Sequence, residues 1–293
     1  MNPADTEGAD RRSKRSPLLT RAPAPVYRSV MSVIDFHAHA FAESISQRAI
    51  SRIEGLSGIT AVLDGTLGSL LESMDAAGIE RSVVLSIATK PAQFAPILSW
   101  SRTIGSERII PFLSVNPADP RAAENVRVAA EEGFRGLKFH PYYQDFDLDG
   151  PSMEPVYGTM EERGLICVAH TGFDHAYPFV RRADPARVVR VLERFPRLAF
   201  VATHLGAWRD WELAGRHLPG ANLWIDTSYS LEFLPAEEAR SLILRFPPDR
   251  VLFGTDSPWA DQGKSLALLR GLSLEPAREQ RILSGNARDL LGL

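Results

Sequence analysis

The chain has one cysteine, Cys167, in 293 residues. That excludes an internal disulfide framework and fits a reducing compartment. No apolar stretch approaches the roughly 18 residues a spanning helix needs, and no apolar core follows the early basic residues as a signal peptide requires. A cytoplasmic protein is therefore expected. The formal net charge is only -3, which gives no electrostatic reason for a nucleic-acid or membrane partner and leaves a small-molecule substrate, with a homo-oligomer open. No strand-like run is followed by Gly-x-Gly-x-x-Gly, which argues against a doubly wound dinucleotide fold. Residues 1–30 lack apolar periodicity: Asp5, Glu7 and Asp10 precede Arg11, Arg12, Lys14 and Arg15, then Pro17, Pro23 and Pro25. This segment reads as a disordered tail or an upstream extension of the reading frame, since Met31 stands just before the first strand.

What is present, over residues 31–293, is an alternation of apolar runs with amphipathic segments. Eight strands are predicted: Val33–His37, Ser82–Ala88, Ile109–Val115, Gly136–His140, Leu165–His170, Ala199–His204, Leu223–Thr227 and Val251–Thr255. Helix openings lie between them at Asp119-Pro120, Asp184-Pro185 and Pro235, where a cap or proline meets the unpaired first amides. Eight strands with intervening helices in about 260 residues have the size of an α/β protein of the (β/α)8 TIM-barrel type.

Such barrels carry their chemistry at the carboxyl ends of the strands. His37 and His39 alternate onto one face of the first strand, roughly 6 to 7 Å apart, within reach of one ion. A His-x-His pair alone is weak evidence, because two exposed polar residues give the same pattern. Five of the seven histidines, however, fall at strand ends: His37, His39, His140, His170 and His204, with only His175 and His217 elsewhere. Asp256 ends the eighth strand. The clustering points to a shared metal centre.

These segments also resemble a family. Ile34-Asp35-Phe36-His37-Ala38-His39, Gly136-Leu137-Lys138-Phe139-His140-Pro141, Val168-Ala169-His170-Thr171-Gly172, Thr203-His204-Leu205-Gly206, Trp224-Ile225-Asp226-Thr227-Ser228, Leu252-Phe253-Gly254-Thr255-Asp256-Ser257-Pro258 and the closing Gly285-Asn286-Ala287 are similar to motifs of the amidohydrolase-related metal-dependent enzymes. That group of the amidohydrolase superfamily contains aminocarboxymuconate-semialdehyde decarboxylase. The resemblance implies a distorted barrel with one divalent ion, zinc first and manganese or another divalent ion next, held by His37, His39, His170 and Asp256. It further implies that Asp256 accepts the proton of an activated water and that His204 polarises the reacting group or shuttles a proton. Lys138 and His140 share a parity and are expected to point inward as substrate-binding or supporting residues. A bridging role for Lys138 between two metals is the lesser alternative.

Arg209 and Trp259, in the loops after strands six and eight, are candidates for holding a substrate carboxylate and walling the pocket, as are Trp208 and Trp211. Cys167 is expected to face the helices, the facing of Asp226 is left open, and the segment from Phe41 to Gly65 is the expected lid. Hydrolysis of a small carboxylated ester, lactone or amide is the first functional expectation. Non-oxidative decarboxylation on the same ligands is the second, and a binding protein without catalysis the third. A TatD-like nuclease is disfavoured because Lys138 and His140 stand where that family has glutamate.

Overall fold

The computed structural model describes residues 32–177 and 180–293, so the tail expected at residues 1–30 lies outside the described residues. All eight expected strands form: β1 Ile34–Ala38, β2 Arg81–Leu85, β3 Ile109–Phe112, β4 Gly136–Phe139, β5 Ile166–Ala169, β6 Phe200–Ala202, β7 Leu223–Asp226 and β8 Val251–Leu252. Strands β1 to β3 pair in order, as do β4 to β8, all in parallel. Two seams close the ring. At one, Leu113 N donates to Gly136 O (3.1 Å) and Lys138 N to Leu113 O (2.8 Å); at the other, Phe36 N donates to Phe253 O (2.8 Å) and His39 N to Ser257 O (2.6 Å). The result is a (β/α)8 barrel.

The helices cover the outside. Asp184 accepts from Arg187 N and Pro185 opens the helix Pro185–Arg194, as the sequence predicts. The helix expected at Asp119-Pro120 starts later, at Ala122, because Asp119 turns its carboxylate onto Arg121 N (2.9 Å) and Asn125 Nδ2 (3.0 Å). Outward-facing strand residues such as Leu137, Cys167, Phe200 and Ile225 pack with the helices, while Ile34, Phe36, Val83, Phe112, Val168 and Leu252 fill the barrel interior with Ala287 and Leu291. Cys167 thus faces the helices, and burial pushes its thiol pKa well up.

Two departures from regular strands shape the site. On β1, Asp35 pairs with Ser82 and Ala38 with Val84, so Phe36 and His37 together stand opposite Val83. This bulge turns both side chains inward, one to the apolar floor and one to the mouth. The strands also stop short of the sequence-based ends, since β6 ends two residues before His204 and β8 four before Asp256. His204 (φ 60°) and Asp256 (φ 72°) take left-handed backbone that a ladder does not accommodate.

Candidate metal centre

The mouth of the barrel gathers His37, His39 and Asp256, whose ligand atoms all lie within 4.8 Å of one another. His37 Nε2 and His39 Nε2 are 3.2 Å apart, and each is 3.1 Å from Asp256 Oδ1. The remaining ring nitrogens have fixed acceptors: His37 Nδ1 donates to Asp226 Oδ2 (2.8 Å) and His39 Nδ1 to Leu85 O (2.7 Å). With the protons assigned there, both Nε2 lone pairs are acceptors that face each other beside a carboxylate, with Lys138 Nζ 3.2 Å from that of His37. Three acceptors at this separation repel unless a cation or proton lies among them. The donor set therefore fits a divalent ion.

His170 and His204 form a second such pair. His170 Nε2 donates to Phe173 O (2.8 Å) and His204 Nδ1 to Ser228 O (3.1 Å), leaving His170 Nδ1 and His204 Nε2 bare at 3.0 Å. His204 stands beside His37, with ring centroids 5.4 Å apart. His170 also belongs to a separate trio with His140 and Asp174 and is not in the His37, His39, Asp256 trio.

Lys138 and His140 both point inward. Lys138 is buried with Nζ 3.2 Å from His37 Nε2, and burial brings its pKa down to about 8. His140 is sandwiched between Tyr143 (4.1 Å) and His170 (4.2 Å), and burial, with His170 next, holds it well below the usual imidazole range. Burial likewise brings His204 down to about 4. His37 moves the other way: burial and Lys138 oppose its charge, but Asp226 and Asp256 outweigh them and raise its pKa. Burial opposes ionisation of Asp256 too, and His37 and His39 overcome it, holding the carboxyl well below its ordinary value.

A cavity of about 800 Å³ opens over the centre, walled in part by Tyr143, Tyr177, Trp208, Tyr229 and Trp259. Trp259 therefore lies where the sequence reading puts it. Arg209 does not: it is exposed, stacks over Trp208 at 5.7 Å, and is not among the lining residues, because its left-handed backbone (φ 56°) turns it away.

Three residues escaped the sequence reading. Asp226, whose facing was open, points inward and joins two histidines: beyond His37 it accepts from His204 N (2.9 Å) and Ser228 Oγ (2.5 Å). A carboxylate at a strand's last position was the available signal. Asp174 and His175 line the cavity although His175 is not at a strand end. They are carried there by the loop after β5, which is tied to the loop after β6 by Trp208 N donating to Thr171 O (2.8 Å) and Phe173 N to Trp208 O (2.9 Å). Gly172 makes that contact possible, since a Cβ there would sit 2.1 Å from Trp208 N. No spacing rule in the sequence links these two loops.

The amidohydrolase family model matches residues 34–293. No curated protein matches the chain. Among solved structures, the chain is similar to an uncharacterized TIM-barrel protein from Bordetella bronchiseptica (23% identity, TM-score 0.73, covering 89% of this chain and 98% of that one). It is also similar to 5-carboxyvanillate decarboxylase from Sphingomonas paucimobilis (18%, 0.66, 90% and 99%). A third is a dihydroxybenzoic acid decarboxylase from Polaromonas sp. JS666 with bound manganese and the inhibitor 2-nitroresorcinol (15%, 0.67, 89% and 97%). At these identities the structures speak for the fold, while the family model spans almost all of the described chain, and enzymes of this family use a divalent metal. The chain belongs to the amidohydrolase family.

Proposed function

We propose that this enzyme carries out metal-dependent non-oxidative decarboxylation of a small aromatic or unsaturated carboxylic acid. The ligand set serves hydrolysis equally well, so the reading rests on the cavity wall: the planar aromatic side chains of Tyr143, Tyr177, Trp208, Tyr229 and Trp259 line the same cavity as the histidines and Asp256. Such walls suit a flat, conjugated acid and keep water away from it. The likeness to two structures named as decarboxylases supports the same order of preference. This reverses the order read from the sequence, where hydrolysis came first.

His37, His39 and Asp256 would hold the ion, with His170 as the fourth donor that the resemblance implies. Zinc suits imidazoles with one carboxylate, and manganese, present in the Polaromonas relative, is the alternative. The metal supplies a Lewis-acid anchor for the substrate's oxygens. Asp226 and the Leu85 carbonyl orient the two imidazoles of β1. Lys138 adds positive charge beside the centre, and being near 8 it is mostly protonated at neutral pH. Burial keeps His204 neutral, but a substrate carboxylate beside it favours the imidazolium form. His204 Nε2 then carries a proton to the carbon that loses carbon dioxide, while Nδ1 stays on Ser228 O.

Hydrolysis retains one argument: Asp256 stays ionised next to the histidine pair and is placed to accept a proton from water. Incubating the metal-loaded enzyme with benzoates and unsaturated acids, and in parallel with lactones and esters in oxygen-18 water, separates the two. Carbon dioxide from the acids supports decarboxylation. Label in a new carboxyl group without carbon dioxide overturns it.

A further inference from the structure

The helix α1 (Glu43–Ser57) lies within the segment expected to be a lid, and its packing is unusual. Of its fifteen residues only Ser46 and Ile50 are buried. Its positions 44 and 45, 48 and 49, 52 and 53, and 56 and 57 all line the cavity, a single stripe at helical spacing along the whole helix. The stripe's apolar members are not in a core: Ile45 is 40% and Leu56 48% exposed. This helix walls a cavity and does little to fill the barrel.

The stem is pinned. Phe41 N donates to Gly65 O (2.8 Å), Phe41 bridges Thr66, and Ile50 seats so closely on Gly65 that a Cβ there would lie 2.8 Å from its Cδ1. Beyond that anchor, the stripe presents Arg48 and Arg52 one turn apart on the same face. Among the described residues neither guanidinium has an ion-pair or hydrogen-bond partner. Glu54 is taken up by Ala61 N (2.9 Å). Lys90 lines the cavity from the loop after β2. The cavity's lining carboxylates are Asp174 and Asp256, both beside the histidines. Among the described residues the outer cavity is thus cationic with no acid lining it, and Ile53, Ile97 and Trp100 supply apolar wall. A volume of about 800 Å³ lies in the range that encloses drug-sized ligands, more than one carboxylated ring fills.

We infer that Arg48 and Arg52 on α1 form a subsite for a second anionic group, so that the substrate is an elongated dianion with one carboxylate at the metal centre and the other anion at the lid. Two guanidiniums one turn apart recognise a carboxylate or a phosphate-like group through paired N–H donors, which a neutral end cannot use. This rests on the reading above that a substrate carboxylate occupies the centre.

Calorimetry on the full-length, metal-loaded enzyme tests it with three rods of similar length: a biphenyl monocarboxylate, the biphenyl dicarboxylate, and the counterpart ending in a phosphonate. At least one doubly anionic rod is expected to bind about tenfold or more tighter than the monoanion, and the tighter of the two identifies the anion. In R48A/R52A that ratio falls toward one, while R48K/R52K keeps part of it. Both arginines are exposed, so neither change opens the core. A ratio near one in the wild type, an unchanged ratio in R48A/R52A, or no binding of any rod overturns the inference. Carbon dioxide release from simple monocarboxylates is read separately, so the reaction class can stand when the subsite fails, or the reverse.

Discussion

Each of the four central histidines commits one ring nitrogen to a fixed protein acceptor: Asp226 for His37, Leu85 O for His39, Phe173 O for His170 and Ser228 O for His204. That aims the remaining nitrogens inward, so elemental analysis is expected to find about one divalent ion per chain, and almost none in H37A/H39A, where two of the proposed ligands become methyl groups. Asp174 gives a pH test on metal-free protein. Burial pushes its pKa up to about 6 from 3.8, so the folded state holds its proton more tightly than the unfolded chain. Its contribution is fully present below about pH 4 and is lost as pH rises through about 6. D174N, which does not titrate, should therefore be more stable than the wild type above pH 6, by as much as about 3 kcal/mol, with the gain vanishing near pH 4. Denaturant titrations at pH 4 and pH 8 check this. The histidines were legible in the sequence because strand ends are, whereas the acceptors that orient them are largely backbone carbonyls, which no residue type announces.

At the scale of the elements, the eight strands were readable from continuous apolar runs, but two features of their ends were not. The β1 bulge breaks simple alternation, letting Phe36 and His37 face the same side, and no residue in Ile34-Asp35-Phe36-His37 marks it. The loop after β5 pairs with the loop after β6 at Gly172 (φ 88°), a contact that helps hold Asp174 and His175 at the cavity. G172A places a methyl group against the Trp208 backbone and forces a conformation alanine resists. The expected cost is about 1 to 3 kcal/mol, or a melting temperature lower by about 3 to 10 °C in a domain of this size, with weaker substrate binding as Asp174 and His175 shift. A melting curve that matches the wild type would mean that the two loops are held by something other than this contact.

For the whole molecule, closure of the ring at the β1–β8 and β3–β4 seams is what brings β1, β5, β6 and β8 residues to one mouth, and the order of strands along the chain already implied that neighbourhood. The choice between reactions was not legible there, because the proposed metal ligands are common to both and the wall on which the proposed reading rests comes from loops. Among the described residues no helix is long and apolar enough to cross a membrane. The central claim, decarboxylation at a metal-dependent centre, is tested most directly by running the metal-loaded enzyme on an accepted aromatic acid in deuterium oxide and examining the product by NMR. The expected result is one deuterium at the carbon that carried the carboxylate, together with one equivalent of carbon dioxide, and neither after chelation of the metal. Product that retains its carboxylate, or turnover that persists without metal, would contradict it.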